Sequence, residues 1–167
     1  MQIALCHENV LPERGGAEMY VADFTRRLVA AGHEVHLYAA RWNADALADK
    51  LRVHPIPPPM GSRLGRPWRF SAAIQKALDR DRPQISLSFD KTFGTDIYYP
   101  LGGFQAASAG HNIRKHRSPV ARTVAHILKW CDPVQWSYAR LERRALLPPN
   151  SPILVVNSAM VRDHAVR

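Results

Sequence analysis

Ile3-Ala4-Leu5-Cys6, Arg14-Gly15-Gly16-Ala17-Glu18 and Gly32-His33-Glu34-Val35-His36-Leu37-Tyr38 follow one another within the first 38 residues. The opening run is short and wholly apolar, which suits a strand buried in a parallel sheet better than a half-exposed one. Glu8 to Gly15 reads as a loop containing Pro12. Ala17, Tyr20, Val21, Phe24, Leu28 and Ala31 then recur at helical spacing and predict one apolar stripe, with Asp23, Arg26 and Arg27 off it. Gly32 is a helix stop, and His33 to Tyr38 is a second strand. Such a strand, Gly-rich loop, helix and strand is most economically a parallel pair joined by a right-handed crossover.

The alternation continues along the chain. Leu51 to Ile56 is a third strand, ended by Pro55 and Pro57-Pro58-Pro59 because proline cannot donate to a ladder. Trp68 to Leu78 is a helix with Phe70, Ile74 and Leu78 in phase. Ile85 to Phe89 and Asp96 to Tyr99 are the fourth and fifth strands. Ala106 to Arg117 is polar and carries no periodic signal. Val120 to Trp130 and Val134 to Leu147 are helical, the second broken by Pro148-Pro149. Ile153 to Val156 is a sixth strand, and Asn157-Ser158 can cap a last helix from Ala159. These elements predict an α/β fold, a doubly wound parallel sheet of Rossmann type, with residues 1–167 forming one domain.

Composition narrows the function. The 167 residues carry 23 Lys+Arg against 14 Asp+Glu, a formal charge of +9. Apolar residues make up 46%, which excludes a disordered chain. Cys6 and Cys131 do not make a disulfide scaffold and fit a reducing compartment. There is no apolar run of about 18 residues and no signal-peptide pattern, so the expected location is cytoplasmic. A basic surface selects anionic partners: nucleic acid, phosphorylated small molecules or an acidic lipid face. Eight Lys/Arg lie between Gly110 and Leu147, opposed by Asp132 and Glu142 alone, so this stretch supplies +6 of the net charge. Val120, Val124, Ile127, Leu128, Trp130 and Trp136 are interleaved with them, a composition suited to an anionic membrane surface. The contacts expected there are Arg114, Lys115, Arg117, Arg122, Lys129 and Trp130. The alternative is a helix pair packed on the sheet with its charges in water.

Several chemical signatures are missing. No Gly-x-Gly-x-x-Gly follows the first strand, no Gly-Lys-Ser/Thr phosphate loop exists, and the histidines and cysteines have no zinc-binding spacing. No metal or other cofactor is expected. What remains is Arg14-Gly15-Gly16-Ala17-Glu18 at a helix start. Unpaired N–H groups and a partial positive charge meet there, and two glycines let a phosphate or sugar come close to the backbone. A plain tight turn would use the same residues. Asn157-Ser158 fits a cap better than a ligand contact.

Three blocks in order carry a resemblance. Arg14-Gly15-Gly16-Ala17-Glu18 with Leu28 and Ala31-Gly32-His33-Glu34-Val35 resembles the start of GT-B glycosyltransferases. Ser88-Phe89-Asp90-Lys91, Gly94 and Asp96-Ile97-Tyr98-Tyr99 resemble the lipopolysaccharide core glycosyltransferases. Tyr138, Leu141-Glu142-Arg143 and Val156-Asn157-Ser158 with Met160-Val161 fit the same branch. The resemblance covers nearly all of the chain. It is to the N-terminal domain of a retaining, family 4-like glycosyltransferase, whose second domain, holding most of the donor, would lie beyond Arg167.

The resemblance implies a bacterial hexosyltransferase moving a sugar from a nucleotide-sugar to a lipopolysaccharide or other surface glycan, peripheral on the inner membrane face. The isolated half would be inactive without its C-terminal partner domain. Gly15 and Gly16 would bind the donor phosphates, stabilising the leaving diphosphate. Asp90, Lys91 and Asp96 would lie at C-terminal strand ends, where open α/β sheets place ligands. Asp96 would be the catalytic group, and His7, Asp90, Lys91 and His111 would contact the acceptor. Relatives often carry an Asp, then a His, shortly after the fifth strand. Gly102 and Gln105 stand there instead, and neither is a base, which leaves three alternatives open: a neighbouring group such as Asp96 or His111 compensates, the acceptor differs, or activity is lost. Two other readings remain open: a non-catalytic sugar- or nucleotide-binding domain, and a basic nucleic-acid-binding module.

Overall fold

The computed structural model describes residues 1–47, 51–104, 118, 123, 131–147 and 151–165. The strands are β1 (Gln2–Cys6), β2 (Asn9–Val10), β3 (Glu34–Ala39), β4 (Arg41–Trp42), β5 (Arg52–Pro55), β6 (Ile85–Ser88), β7 (Ile97–Tyr98) and β8 (Ile153–Leu154). The helices are α1 (Gly16–Ala30), α2 (Arg66–Asp81), α3 (Pro133–Leu146) and α4 (Ala159–Ala165). Six strands form one parallel sheet in the order β5-β3-β1-β6-β7-β8. These are the six strands read from the sequence, and their order is that of a Rossmann-type sheet.

The sheet is covered on both faces, as the apolar runs require. Alternate residues of β1 enter opposite cores. Ile3 and Leu5 pack with Val35, Leu37, Leu87 and Phe89 against Val21 and Ala22 of α1. Ala4 and Cys6 pack with Tyr38 against Phe70, Ile74, Ala77 and Leu78 of α2. Burial pushes the Cys6 thiol far above its ordinary pKa, so it is an inert core group. Cys131 is exposed and also free.

Helix α1 ends in a Schellman motif: Gly32 N–H donates to Val29 O and His33 N–H to Leu28 O, with Gly32 at φ +83°. Its buried face is rotated from the predicted stripe. Val21, Ala22 and Thr25 are buried, whereas Ala17 and Ala31 are exposed. Thr25 is tolerated because its hydroxyl donates to Val21 O at 2.7 Å. Tyr20 is 39% exposed but stacks on Phe24 and meets Tyr99 edge-on.

Three further expectations change. Pro55 does not end its strand: it pairs with Ala39 inside β5, an edge strand that needs no N–H there. The sixth strand is only Ile153–Leu154, and Ile153 is 67% exposed because β8 is the other edge. The Glu8–Gly15 loop contains β2, which pairs in parallel with β4 as a small second sheet. Ala40 and Arg41 both donate to Glu8 O, a bulge-like step that turns the chain after β1. Helix α3 starts as predicted, with Asp132 accepting from Val134 N and Pro133 in the first turn. Ser158 caps α4 by accepting from Val161 N. The stretch Ala106 to Arg117 and most of the Val120–Trp130 helix lie outside the described residues. Among the described residues no helix is long and apolar enough to cross a membrane.

Candidate functional site

The strand order reverses between β1 and β6, which are hydrogen-bonded neighbours. From β1 the chain moves to β3 on one side, and from β6 to β7 on the other. In open α/β sheets the crevice beyond such a point takes the ligand. His7 and Glu8 follow β1 there, and Phe89, Asp90 and Lys91 follow β6.

Asp90 is fixed by a tight turn. Ser88 Oγ donates to Asp90 O (2.8 Å), accepts from Asp90 N, and takes a third bond from Thr92 Oγ1 (2.5 Å). The Asp90 carboxylate accepts from Glu8 N, and its Oδ2 lies 3.0 Å from His7 Nδ1. That last approach is an ion-pair contact, and His7 Nδ1 has no hydrogen-bond partner among the described residues. Burial, the largest influence on His7, opposes its charge; Asp90, then Glu18 and Glu8, outweigh it and lift its pKa above 6.5. Burial likewise works against the charge of Asp90, but His7, the Glu8 N–H and Lys91 hold its pKa below 3.8.

Two more ion pairs flank this one. Arg66, at the start of α2, reaches Glu8 Oε1 through Nε and Nη2. Lys91 Nζ lies 3.6 Å from Glu142 Oε1 on α3 and over the Tyr138 ring. Glu142 is buried and also accepts from Tyr98 Oη at 3.5 Å. Burial, then Glu8 and Asp90, raises the Tyr138 pKa. The second and third sequence blocks are therefore one network: Lys91 and Tyr98 from one meet Tyr138 and Glu142 from the other.

The N-terminus of α1 reaches the same edge. Gly15 is its N-cap residue, with no side-chain cap bond, and Glu18 in its first turn contributes to the field at His7. A Cβ on Gly16 would meet nothing within 4 Å, and one on Gly15 only the end of Glu18 at 3.4 Å. The glycines are not demanded by internal packing.

The structure thus brings His7, Asp90 and Lys91 together, and it sets the Gly15–Gly16 start of α1 at the same end of the sheet, with Glu18 of its first turn acting on His7. It does not bring Asp96. That residue directly precedes β7, level with Ser86 and Ala4 inside β6 and β1, so it stands at the start of its strand and not at a C-terminal strand end. Its carboxylate accepts from Ser86 N (2.7 Å) and Ser86 Oγ (2.6 Å), which makes it a strand-joining group. His111, Arg114, Lys115, Arg117, Arg122, Lys129, Trp130 and Gln105 lie outside the described residues. Gly102 is in an exposed turn where a Cβ would meet nothing. Glu8, Arg66, Tyr138 and Glu142 were not singled out as site residues. Glu8 has only its position after a strand as a signal, Tyr138 and Glu142 lie inside the third block, and Arg66 has no signal in the sequence. Among the described residues no three His, Cys, Asp or Glu side chains could hold a metal ion. A separate groove of about 1550 Å³ runs between α2 and α3, lined in part by Leu64, Trp68, Trp136, Arg140 and Arg144.

A family model described as Glycosyltransferase Family 4 matches residues 14–167. No curated protein matches the chain. The solved structure of WaaG, a glycosyltransferase involved in lipopolysaccharide biosynthesis, is similar over 91% of this chain, with a TM-score of 0.65 and 20% identity. The chain spans 37% of the length of that structure.

Proposed function

This chain belongs to glycosyltransferase family 4, and we propose on that footing that it is the N-terminal, acceptor-side domain of an enzyme moving a hexose from a nucleotide-sugar to a lipopolysaccharide or related surface glycan. The observation that carries the reading is an uncapped glycine start of α1 whose first-turn Glu18 lies in electrostatic range of the His7–Asp90 pair at the strand-order reversal. The first offers N–H donors and a partial positive charge to a diphosphate. The second offers a buried imidazole beside a half-buried carboxylate to a sugar hydroxyl.

In this reading the Gly16, Ala17 and Glu18 amides stabilise charge as the diphosphate departs. Asp90 holds the His7 ring, and Glu8 and Lys91 border the acceptor. Asp96 has no part in this reading, since it starts its strand and its carboxylate is engaged by Ser86. The second, donor-holding domain would complete the crevice. The basic segment from Arg114 to Trp130 would hold the enzyme against the anionic inner membrane face. The exposed Trp136 and the α3 arginines Arg140 and Arg143 support that placement, being aromatic and basic on one helix.

Chemical-shift mapping with UDP-glucose and with a lipopolysaccharide-core oligosaccharide tests the proposal. UDP-glucose should shift Gly15 and Gly16, and the oligosaccharide His7, Glu8 and Asp90. A dispersed spectrum that neither ligand shifts would refute it. Salt-sensitive binding of DNA in preference to anionic vesicles would move the reading to nucleic acid.

A further inference from the structure

The chain is strongly basic, yet the described residues of the crevice are not. Among the described residues, the cations lining it are each matched by a carboxylate: His7 by Asp90, Arg66 by Glu8 and Lys91 by Glu142. Glu18 adds a further negative charge within range of His7. Arg14 and Arg63 are exposed and stand at the margins, Arg14 beside the α1 N-terminus. A phosphate entering between His7, Glu8 and Asp90 would face carboxylates whose countercharges are already engaged. A hydroxyl would find strong acceptors, because a carboxylate oxygen keeps lone pairs beyond those used by one partner.

We infer that the acceptor subsite beside Glu8 and Asp90 takes an uncharged saccharide ring and rejects one carrying phosphate at the positions that enter the crevice. This rests on the proposed function and names the acceptor's chemistry. Anion binding at this edge is left to the start of α1, where N–H groups and Arg14 stand. The ion pairs are the selective element: they hold the carboxylates in place for hydroxyls and cancel the cations that would attract phosphate. Glu8 is the position where this can be undone, since its partner Arg66 is 41% exposed and would be free to bind an anion.

The test is chemical-shift titration of the chain with glucose and with glucose 6-phosphate, between about 20 and about 200 mM salt, where screening changes most. Glucose should shift the Glu8 and Asp90 amides with little salt dependence. Glucose 6-phosphate should bind there about tenfold more weakly, the scale set by one unopposed charge at contact range. Glu8→Gln should free Arg66 and shift the preference toward glucose 6-phosphate by about the same factor, now with marked salt dependence. Adding Arg66→Gln should return the original preference. If Glu8→Gln fails to fold, Arg66→Gln alone asks the same question: it leaves Glu8 unopposed and should weaken glucose 6-phosphate further. Tighter, salt-sensitive binding of glucose 6-phosphate at Glu8 and Asp90 in the unmodified chain overturns the inference. So does silence of both sugars at these amides while UDP-glucose still shifts Gly15 and Gly16, which leaves the donor reading standing. Silence of all three removes the proposed function as well.

Discussion

Asp90→Asn isolates the pair at the centre of the crevice. Asparagine keeps the shape, can still accept from Glu8 N through its amide oxygen, and removes only the charge. Burial is the largest influence on His7 and opposes its protonation, while Asp90 supplies the next two contributions in its favour. Removing the charge should therefore lower the His7 pKa from its raised value, with Glu18 and Glu8 left as the opposing pull. Each unit of that fall corresponds to about 1.4 kcal/mol of lost preference for the imidazolium. The stability cost at neutral pH should be smaller, about 1 kcal/mol, because the Glu8 bond survives and Asp90 is 31% exposed. The pH dependence has a definite sign. The raised pKa of His7 gives stability that is full below 6.5 and lost as pH rises through the folded value. The depressed pKa of Asp90 gives stability present above 3.8 and lost as pH falls through its folded value. The unmodified chain should be most stable between these limits, and the variant should lose both flanks that the pair contributes. Urea unfolding across pH, with the His7 ring followed by NMR, measures this. A His7 pKa that stays put or rises in Asp90→Asn would show that Asp90 does not control the ring.

Glu142→Gln should destabilise by about 3 kcal/mol in urea unfolding, because it leaves Lys91, mostly buried, without its countercharge. Ile74→Ala, in the fully buried α2 core, should cost about 3 kcal/mol in thermal unfolding, whereas Ile153→Ser on the exposed edge should stay within about 0.5 kcal/mol. Gly32→Ala should cost about 1 kcal/mol by the same assay, since φ +83° strains any residue with a Cβ. Gly16→Ala should be neutral or stabilising by up to about 1 kcal/mol, as the added Cβ meets nothing in a helix; it should nevertheless weaken UDP-glucose binding, and unchanged binding would remove Gly16 from the donor site.

The elements set by short-range chemistry were legible. Apolar runs of four to six residues marked the main-sheet strands, and Gly32 and Ser158 marked helix ends. The small β2–β4 sheet was not, because two residues carry no periodicity. The α1 stripe was read one position askew, since Thr25 looks polar in sequence but satisfies its hydroxyl on Val21 O and can be buried. Asp96 was misplaced for a topological reason. A residue that begins a parallel strand stands at the opposite end of it from one that follows the strand, and the motif's residue types do not say which. Glu142 and Lys91 are 51 positions apart, so only the docking of α3 reveals that they meet.

That docking bears on how the crevice is held. Lys91 joins the end of β6 to α3, Arg66 joins α2 to the end of β1, and Trp68 Nε1 donates to Ser137 Oγ, which donates in turn to Leu64 O. The groups flanking His7 and Asp90 are thus tied to two helices as well as to the sheet. A shift of α3 would pull Lys91 from Glu142 or carry Lys91 with it, and either result changes the charge beside Asp90. The neutrality of the crevice and the seating of α3 are therefore one property. Loss of Glu142 should be felt at the His7 ring as well as in the unfolding curve.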